Sequence, residues 1–191
     1  MNDNNQFPVI EMKAIVKRFP QVTALDQVDI GVEKGEIHAL LGENGAGKTT
    51  LMMILNGIYR PDEGEIYVQG KKVRITSPRE ASGLGISMVH QHFTLIPALS
   101  VIENMALSIR SPKEPFLDIK YLTRLLKELE ARYGLEANPA AKVSSLSVGE
   151  KQRIEIIRAL SQGSNILILD EPTSVLTPLE VSRLFAVLRR I

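Results

Sequence analysis

The chain has 191 residues, of which 44% are hydrophobic and 24% charged, a composition typical of a globular protein with a core of its own. Its formal net charge of +1 argues against a protein whose main task is to wrap nucleic acid. Because the sequence contains no cysteine, disulfide scaffolds, thiolate zinc sites and cysteine nucleophiles are excluded.

The chain also lacks the patterns of membrane insertion and export. Its longest purely apolar runs have about four residues, such as Ile166 to Leu169, against the roughly 20 that a spanning helix needs. The first residues, MNDNNQFPVI, are polar and show no basic segment followed by an apolar one. We therefore expect neither a membrane span nor an export signal, and we expect residues 1–8 to be a disordered end.

Short apolar runs between turn residues predict strands in the first 91 residues. Residues 9–19 and 28–32 favour two antiparallel edge strands, and Ile37–Leu41 favours a buried strand. A helix is predicted from Lys48 to about Leu55, closed by Asn56 and Gly57. GEIYVQGKKVRI then has the pattern of a hairpin, and GISMVHQ, residues 85–91, that of a further strand.

Helical periodicity takes over in the second half of the chain. One predicted helical face carries Leu122, Leu125, Leu126, Leu129 and Tyr133, with Gly134 at its C-cap. A second helix is predicted from about Val148 to Ser161, and ILIL (Ile166 to Leu169) has the pattern of a buried parallel strand. The alternation predicts an α/β fold with a helical insertion at about residues 92–150.

Four helix starts share the pattern of a capping box, in which a hydroxyl and a glutamate three residues later exchange hydrogen bonds with the backbone. The four pairs are Ser77 with Glu80, Ser100 with Glu103, Ser147 with Glu150, and Thr177 with Glu180.

The octapeptide GENGAGKT, Gly42 to Thr49, predicts a phosphate-binding loop between a strand and a helix. Its glycines let backbone N–H groups curl around a phosphate chain, and the following helix start adds partial positive charge. Lys48 suits the β- and γ-phosphates, Thr49 suits Mg²⁺, and Thr50 suits the α-phosphate.

An acidic pair follows the apolar strand ILIL. A carboxylate there is costly without a partner, and Mg²⁺ is a natural one. Asp170 therefore fits Mg²⁺ binding through water, and Glu171 fits a general base that orients the attacking water.

Over nearly its whole length the chain resembles the ATP-binding subunits of ABC transporters. LSVGEKQR, Leu146 to Arg153, is similar to the signature motif of that family, and Gln91 is similar to its Q-loop glutamine. Phe19, in KRFPQVTALDQVDI, stands where the family has an aromatic residue that stacks on adenine. DEPTSVLTP resembles the acidic pair running into the D-loop.

The resemblance implies a P-loop NTPase (RecA-like) core with a parallel sheet, an antiparallel β edge subdomain and the helical insertion, all within one nucleotide-binding domain at residues 9–191. It implies ATP and Mg²⁺ as cofactors, with Glu171 and Gln91 as catalytic residues and Thr49, Gln91 and Asp170 as metal ligands. The implied nucleotide contacts are Phe19, Gly42, Asn44, Gly45, Ala46, Gly47, Lys48, Thr49, Thr50, Ser147, Gly149 and Glu150.

In this family the signature helix start faces the γ-phosphate held by an opposing subunit. Its partners would be transmembrane permease subunits and a second nucleotide-binding domain, tandem or dimeric, with no nucleic acid. The chain would lie peripherally on the cytoplasmic face of the inner membrane. VHQHFTLIPALSVIENMAL and DEPTSVLTP are most similar to importers of simple sugars or nucleosides.

The sequence departs from the family pattern at three positions and in one absence. Val148 and Glu150 replace the Gly and Gln of LSGGQ, and Thr177 replaces the D-loop Asp. The family's switch histidine lies beyond the acidic pair, and the sequence ends at Ile191 before reaching it. We therefore expect this C-terminal part of the domain to be missing.

Three other functions remain as alternatives. A soluble ABC-type ATPase acting on nucleic acid or ribosomes would carry zinc modules, coiled coils or basic linkers, which the sequence lacks. A GTPase would carry an N-K-x-D motif, which is also lacking. The third alternative is a fragment that binds ATP with little or no turnover.

Overall fold

The structure is a computed structural model, and it describes residues 7–91, 93–109 and 118–191. It divides into two compact units, Met1–Ile86 and Ser87–Ile191, which are described in turn. Six of the eight residues expected to form a disordered end lie outside the described residues. Within the described ranges, no helix is both long enough and apolar enough to cross a bilayer.

The first unit contains a four-stranded antiparallel sheet in the order β2-β1-β3-β4. Its strands are β1 (Ile10–Phe19), β2 (Val22–Val32), β3 (Glu63–Val68) and β4 (Lys71–Val73). The predicted antiparallel pair is confirmed, with β2 longer than expected, but of the two only β2 is an edge strand, because β1 also pairs with β3. The predicted hairpin is confirmed as well, and its turn residues Gln69 and Gly70 both have positive φ, as a type I′ turn requires.

A bulge shifts the register of β1 partway along the strand. Ala14 has a φ of 49°, and its N–H donates to the carboxylate of Asp29 at 2.6 Å. Because one extra residue reverses the alternation of faces, Ile15 after the bulge faces the same side as Ile10 and Met12 before it, and all three are buried. Val16 is buried too, where the register shifts a second time between Ile15 and Lys17. The core of this sheet is therefore continuous across the irregularity.

Two helices complete the part of the first unit that the structure describes, α1 (Lys48–Leu55) and α2 (Pro78–Gly83). The predicted bounds of α1 are confirmed, since Asn56 is its C-cap and Gly57 follows with a φ of 74°. Helix α2 begins at Ser77 as predicted, but its capping box is only half formed. The Glu80 carboxylate accepts from the N–H and hydroxyl of Thr76 and not from the Ser77 amide, because Thr76 offers it two donors.

The buried strand predicted at Ile37–Leu41 is wrong: the structure has no strand there. Ile37 is 47% exposed and Leu41 is 88% exposed. A strand that is apolar on both faces depends on neighbours that supply hydrogen bonds and cover, and none of the described strands pairs with this segment. An apolar run alone therefore does not make a strand, because the hydrogen-bonding neighbour is not encoded in the run itself.

The described residues of the second unit contain four α-helices, a short 3₁₀ turn at Val143–Ser145 and a two-stranded parallel sheet, whose first strand begins at the unit boundary. The helices are α3 (Val101–Ala106), α4 (Ile119–Tyr133), α5 (Val148–Ser161) and α6 (Pro178–Leu188), and the strands are β5 (Ile86–Val89) and β6 (Ile166–Leu169). The predictions of α4, α5, β5 and β6 as elements are confirmed, but only Ile168 of β6 is buried, where the sequence predicted a buried strand. Gly134 caps α4 with a φ of 73°.

The helices of the second unit share one apolar core. Leu122, Leu126, Leu129 and Tyr133 of α4 are buried in it, as the periodicity predicts, while Leu125 is only partly covered. The three capping boxes at the starts of α3, α5 and α6 are complete. Helices α3 and α4 lie inside the predicted insertion, of which residues 92 and 110–117 are outside the described ranges.

Candidate functional site

The phosphate-binding loop ends in a helix start that no side chain of the described residues caps. Gly47 occupies the N-cap of α1 with a φ of 88°, and the first turn contains no acidic residue. The first intrahelical bond joins the Leu51 N–H to the Gly47 carbonyl at 2.9 Å, so the amides of the preceding residues have no intrahelical partner. This end of α1 presents backbone donors and a positive dipole end, which suit an anion.

Lys48 folds back over the loop that precedes it. Its ammonium donates to the carbonyl of Gly42 at 2.6 Å and to that of Glu43 at 2.7 Å. A lysine ammonium has three protons, so these two bonds leave one for a phosphate oxygen. Asn44, Gly45 and Ala46, in the middle of the loop, are exposed.

Thr49 and Thr50 stand in the first turn of α1. Thr49 is exposed and Thr50 is half-buried. A hydroxyl beside a phosphate loop is a ligand type that Mg²⁺ accepts, since the ion prefers oxygen donors. The donors and hydroxyls of this turn therefore fit a Mg²⁺-bound nucleoside phosphate.

Phe19 lies at the end of β1 and meets a second aromatic residue. Its ring makes an edge contact with Tyr59, with centroids 5.4 Å apart and an interplanar angle of 74°. The Lys17 ammonium lies 5.5 Å from the Phe19 ring centroid. Tyr59 was missed by sequence reasoning because nothing in the order of residues links it to β1.

In the second unit the acidic pair follows β6, as predicted. The Asp170 N–H donates to the Val89 carbonyl at 3.1 Å, which fixes the end of β6 against the end of β5. Glu171 has a φ of 46°, in the left-handed region that non-glycine residues rarely adopt. Such backbone strain is concentrated at functional sites.

Gln91 and Glu171 lie side by side although 80 residues separate them in the chain. The Gln91 amide nitrogen donates to a Glu171 carboxylate oxygen at 2.8 Å. Both side chains are exposed, so water reaches the pair. The structure thus joins two residues that the sequence assigned separately, one as the Q-loop glutamine and one as the general base.

Gln152 lies on α5, the helix that begins within the signature segment and that we call the signature helix, and it binds the turn after Glu171. Its buried side chain donates to the Pro172 carbonyl at 2.7 Å. This contact was missed because a glutamine in a helical pattern carries no signal of its distant partner.

The signature segment begins helix α5. The Ser147 N–H donates to Glu150 at 2.8 Å, and the Glu150 N–H donates to the Ser147 hydroxyl at 3.2 Å. The pKa of the Glu150 carboxyl is lowered by hydrogen bonds that it accepts from the backbone and the side chain of Ser147. The charge of Glu150 is therefore turned back toward the helix start.

Gly149 is buried against a carboxylate of the next helix. A Cβ at position 149 would lie 2.5 Å from a Glu180 oxygen. The pKa of the Glu180 carboxyl is lowered by backbone and side-chain hydrogen bonds from Thr177 and, more weakly, by one from the Gly149 backbone. The starts of α5 and α6 thus share one carboxylate.

Comparison with known proteins identifies relatives that match nearly the whole chain. The family model described as ABC transporter matches residues 25–174. The nucleoside import ATP-binding protein NupA of Lactococcus lactis is 49% identical over 183 residues, which cover 96% of this chain and 36% of NupA. The ribose import ATP-binding protein RbsA 1 of Rubrobacter xylanophilus is 47% identical, over 96% of this chain and 37% of that protein.

A solved structure has the same fold. The ADP conformation of MJ1267, an ATP-binding cassette of an ABC transporter, matches with a TM-score of 0.84 and 27% identity, covering 96% of this chain and 76% of that one. The chain therefore spans about a third of the length of the curated relatives it matches, and most of a single cassette.

Proposed function

The chain belongs to the ABC transporter family, and on that premise we propose that it is an ATP-binding and ATP-hydrolysing subunit that energises a membrane importer of simple sugars or nucleosides. The observation that carries the proposal is the uncapped start of α1 behind Gly42–Thr49, with Lys48 folded over the loop. The import functions named for NupA and RbsA 1 support the solute class.

The first unit would bind the nucleotide. Lys48 and the N–H groups of Gly45–Thr50 would hold the phosphates, with Gly42 and Asn44 shaping the loop and Phe19 against the adenine. Mg²⁺ would supply charge neutralisation on the phosphates, and its proposed ligands are Thr49, Gln91 and Asp170.

Glu171 is the proposed general base. Its carboxylate would accept a proton from the attacking water, and Gln91, hydrogen-bonded to it, would orient the carboxylate. Ser147, Gly149 and Glu150 would face the γ-phosphate held by a second nucleotide-binding domain. The remaining partners would be permease subunits, with this chain peripheral on the cytoplasmic face of the membrane.

The test is a titration of the chain with ATP and Mg²⁺, beside the Lys48→Ala variant. We expect Lys48→Ala to weaken ATP binding by at least about 10-fold, because a charge-assisted contact of 1.5–3 kcal/mol is lost. Lys127→Ala, which removes the same side chain from α4, is the matched control and should bind as the wild type does. Equal affinity in all three proteins would contradict the proposal.

A further inference from the structure

One buried carboxylate of α5 reaches the chain just after Gln91. Glu155 is 9% exposed, and its Oε1 accepts from the Thr94 N–H at 2.7 Å and from the Thr94 hydroxyl at 2.9 Å. Thr94 stands three residues after Gln91. The signature helix therefore holds the segment that follows the glutamine by both a backbone and a side-chain bond.

Arg158 extends this hold to a second point of the chain. Its Nη1 lies 3.0 Å from the Glu155 Oε2 and 3.0 Å from the Thr94 hydroxyl, and its Nε and Nη2 donate to the Ser108 hydroxyl at 3.0 and 2.7 Å. Ser108 lies just after α3. The ion pair thus ties α5 both to the segment after Gln91 and to the end of α3.

Asn104 holds the same segment from its other side. Its buried side chain accepts from the Ile96 N–H at 2.7 Å and donates to the Ile96 carbonyl at 3.1 Å. Residues 94–96 are therefore fixed at both ends by buried polar side chains. We call these three residues, with Glu155, Arg158 and Asn104, the clamp.

A buried ion pair is weak evidence for added stability, because desolvating two charges offsets most of their attraction. Its better-attested use is to specify one arrangement of the chain. The arrangement specified here is that of the segment three residues from Gln91, whose amide binds Glu171 at 2.8 Å.

We propose that Glu155 is a positioning residue for Gln91, so that the clamp sets how Gln91 meets Glu171 and Mg²⁺. The inference rests on the proposed function, because it assigns Gln91 to the metal. The signature helix would then have two roles. Its N-terminus would face the γ-phosphate held by a second domain, and Glu155 would position Gln91 within its own domain.

The test compares the affinity for ATP with Mg²⁺ and with EDTA. In Glu155→Gln we expect the gain in affinity that Mg²⁺ confers to fall by about 10-fold, the effect typical of losing support behind a metal ligand. Affinity without Mg²⁺ should stay unchanged. Gln91→Ala should show the same loss, and the double variant should be no worse than Gln91→Ala alone, because Glu155 acts through Gln91.

Controls separate positioning from folding. Glu103→Gln removes a carboxylate from the capping box of α3 and should leave the Mg²⁺ gain intact. Thr94→Ala keeps the buried ion pair and loses only the hydroxyl, so it remains informative if Glu155→Gln folds poorly, and it should show a smaller loss of the same sign. A lower melting temperature with an unchanged Mg²⁺ gain in both variants would overturn the inference.

The two proposals fail in different ways. ATP binding that is absent in the wild type, or that survives Lys48→Ala, would overturn the proposed function and this inference with it. ATP binding that depends on Lys48, with losses from Glu155→Gln and Gln91→Ala that multiply, would overturn this inference alone.

Discussion

Gly47 shows how a single position links the fold to the site. Its φ of 88° favours glycine, and a Cβ there would lie 2.4 Å from the Ala24 carbonyl oxygen and 2.8 Å from a Leu25 methyl carbon. The same residue forms the N-cap of α1 without a side chain that could cover the helix amides. Glycine is therefore needed both for backbone shape and for access to the helix start.

We expect Gly47→Ala to lower the free energy of unfolding by about 2–4 kcal/mol, from the left-handed backbone and the close contact together. Urea denaturation of the wild type and the variant measures this change in the free energy of unfolding. Gly83→Ala is the matched control, because no atom lies within 4 Å of the added methyl and the backbone is helical. The control should be neutral or more stable by up to about 1 kcal/mol, and equal losses in both variants would contradict the argument.

At Glu171, unlike at Gly47, a left-handed backbone is occupied by a residue with a side chain, so the backbone is strained. A left-handed backbone at a non-glycine residue costs about 1–3 kcal/mol, which the surrounding structure must offset. The Gln91 bond and the Ser174 hydroxyl, which donates to the Glu171 carbonyl at 3.0 Å, hold the residue there. The direction of this carboxylate is thus fixed by the backbone as well as by its partner.

At the scale of elements, local signals predicted most of what the structure contains. Capping residues and a terminal glycine fixed the starts of α3, α5 and α6 and the end of α4, because the atoms involved lie within one turn of one another. The strand expected at Ile37–Leu41 failed because strand formation depends on a distant neighbour. The bonds of Gln152, Glu155 and Asn104 were missed for the same reason.

The capping glutamates should make stability depend on pH. Hydrogen bonds from Ser100 lower the pKa of the Glu103 carboxyl below its ordinary 4.5. A carboxyl with a lower pKa in the folded state stabilises it above the unfolded pKa, and that contribution is lost as the pH falls through the folded pKa. We expect the free energy of unfolding to fall once the pH drops below 4.5, the ordinary pKa of the group, and to fall less steeply in Glu103→Gln.

The measurement is urea denaturation across that pH range. Ser100→Ala removes the hydroxyl that donates to the Glu103 carboxylate. The dependence of the unfolding free energy on pH should therefore become less steep, as in Glu103→Gln. Identical slopes in the wild type and both variants would show that the capping box does not bind the ionised carboxylate.

At the scale of the whole molecule, the phosphate-binding loop Gly42–Thr49 and the proposed catalytic pair Gln91 and Glu171 belong to different compact units. Binding and turnover can therefore be separated by substitution. Glu171→Gln keeps the shape of the proposed base and removes its charge, so we expect ATP affinity to stay near that of the wild type while hydrolysis falls by about 10²–10⁴-fold.

Hydrolysis is measured as phosphate release, with ATP affinity measured on the same samples. Glu136→Gln, at a surface glutamate outside the proposed site, serves as the control and should keep the wild-type rate. Normal turnover in Glu171→Gln would remove Glu171 from the role of base. The chain spans about a third of the length of NupA. The hydrolysis rates of the variants are therefore compared with that of this 191-residue chain.

The carboxylate shared by the starts of α5 and α6 also constrains how this sequence can change over generations. A Cβ at position 149 would meet the Glu180 carboxylate, so such a replacement requires the Glu180 side chain to move or to become shorter. A shorter residue at 180 in turn removes the capping partner of Thr177. Substitutions at positions 149 and 180 therefore depend on each other, and the order in which they occur decides whether the cap of α6 is kept.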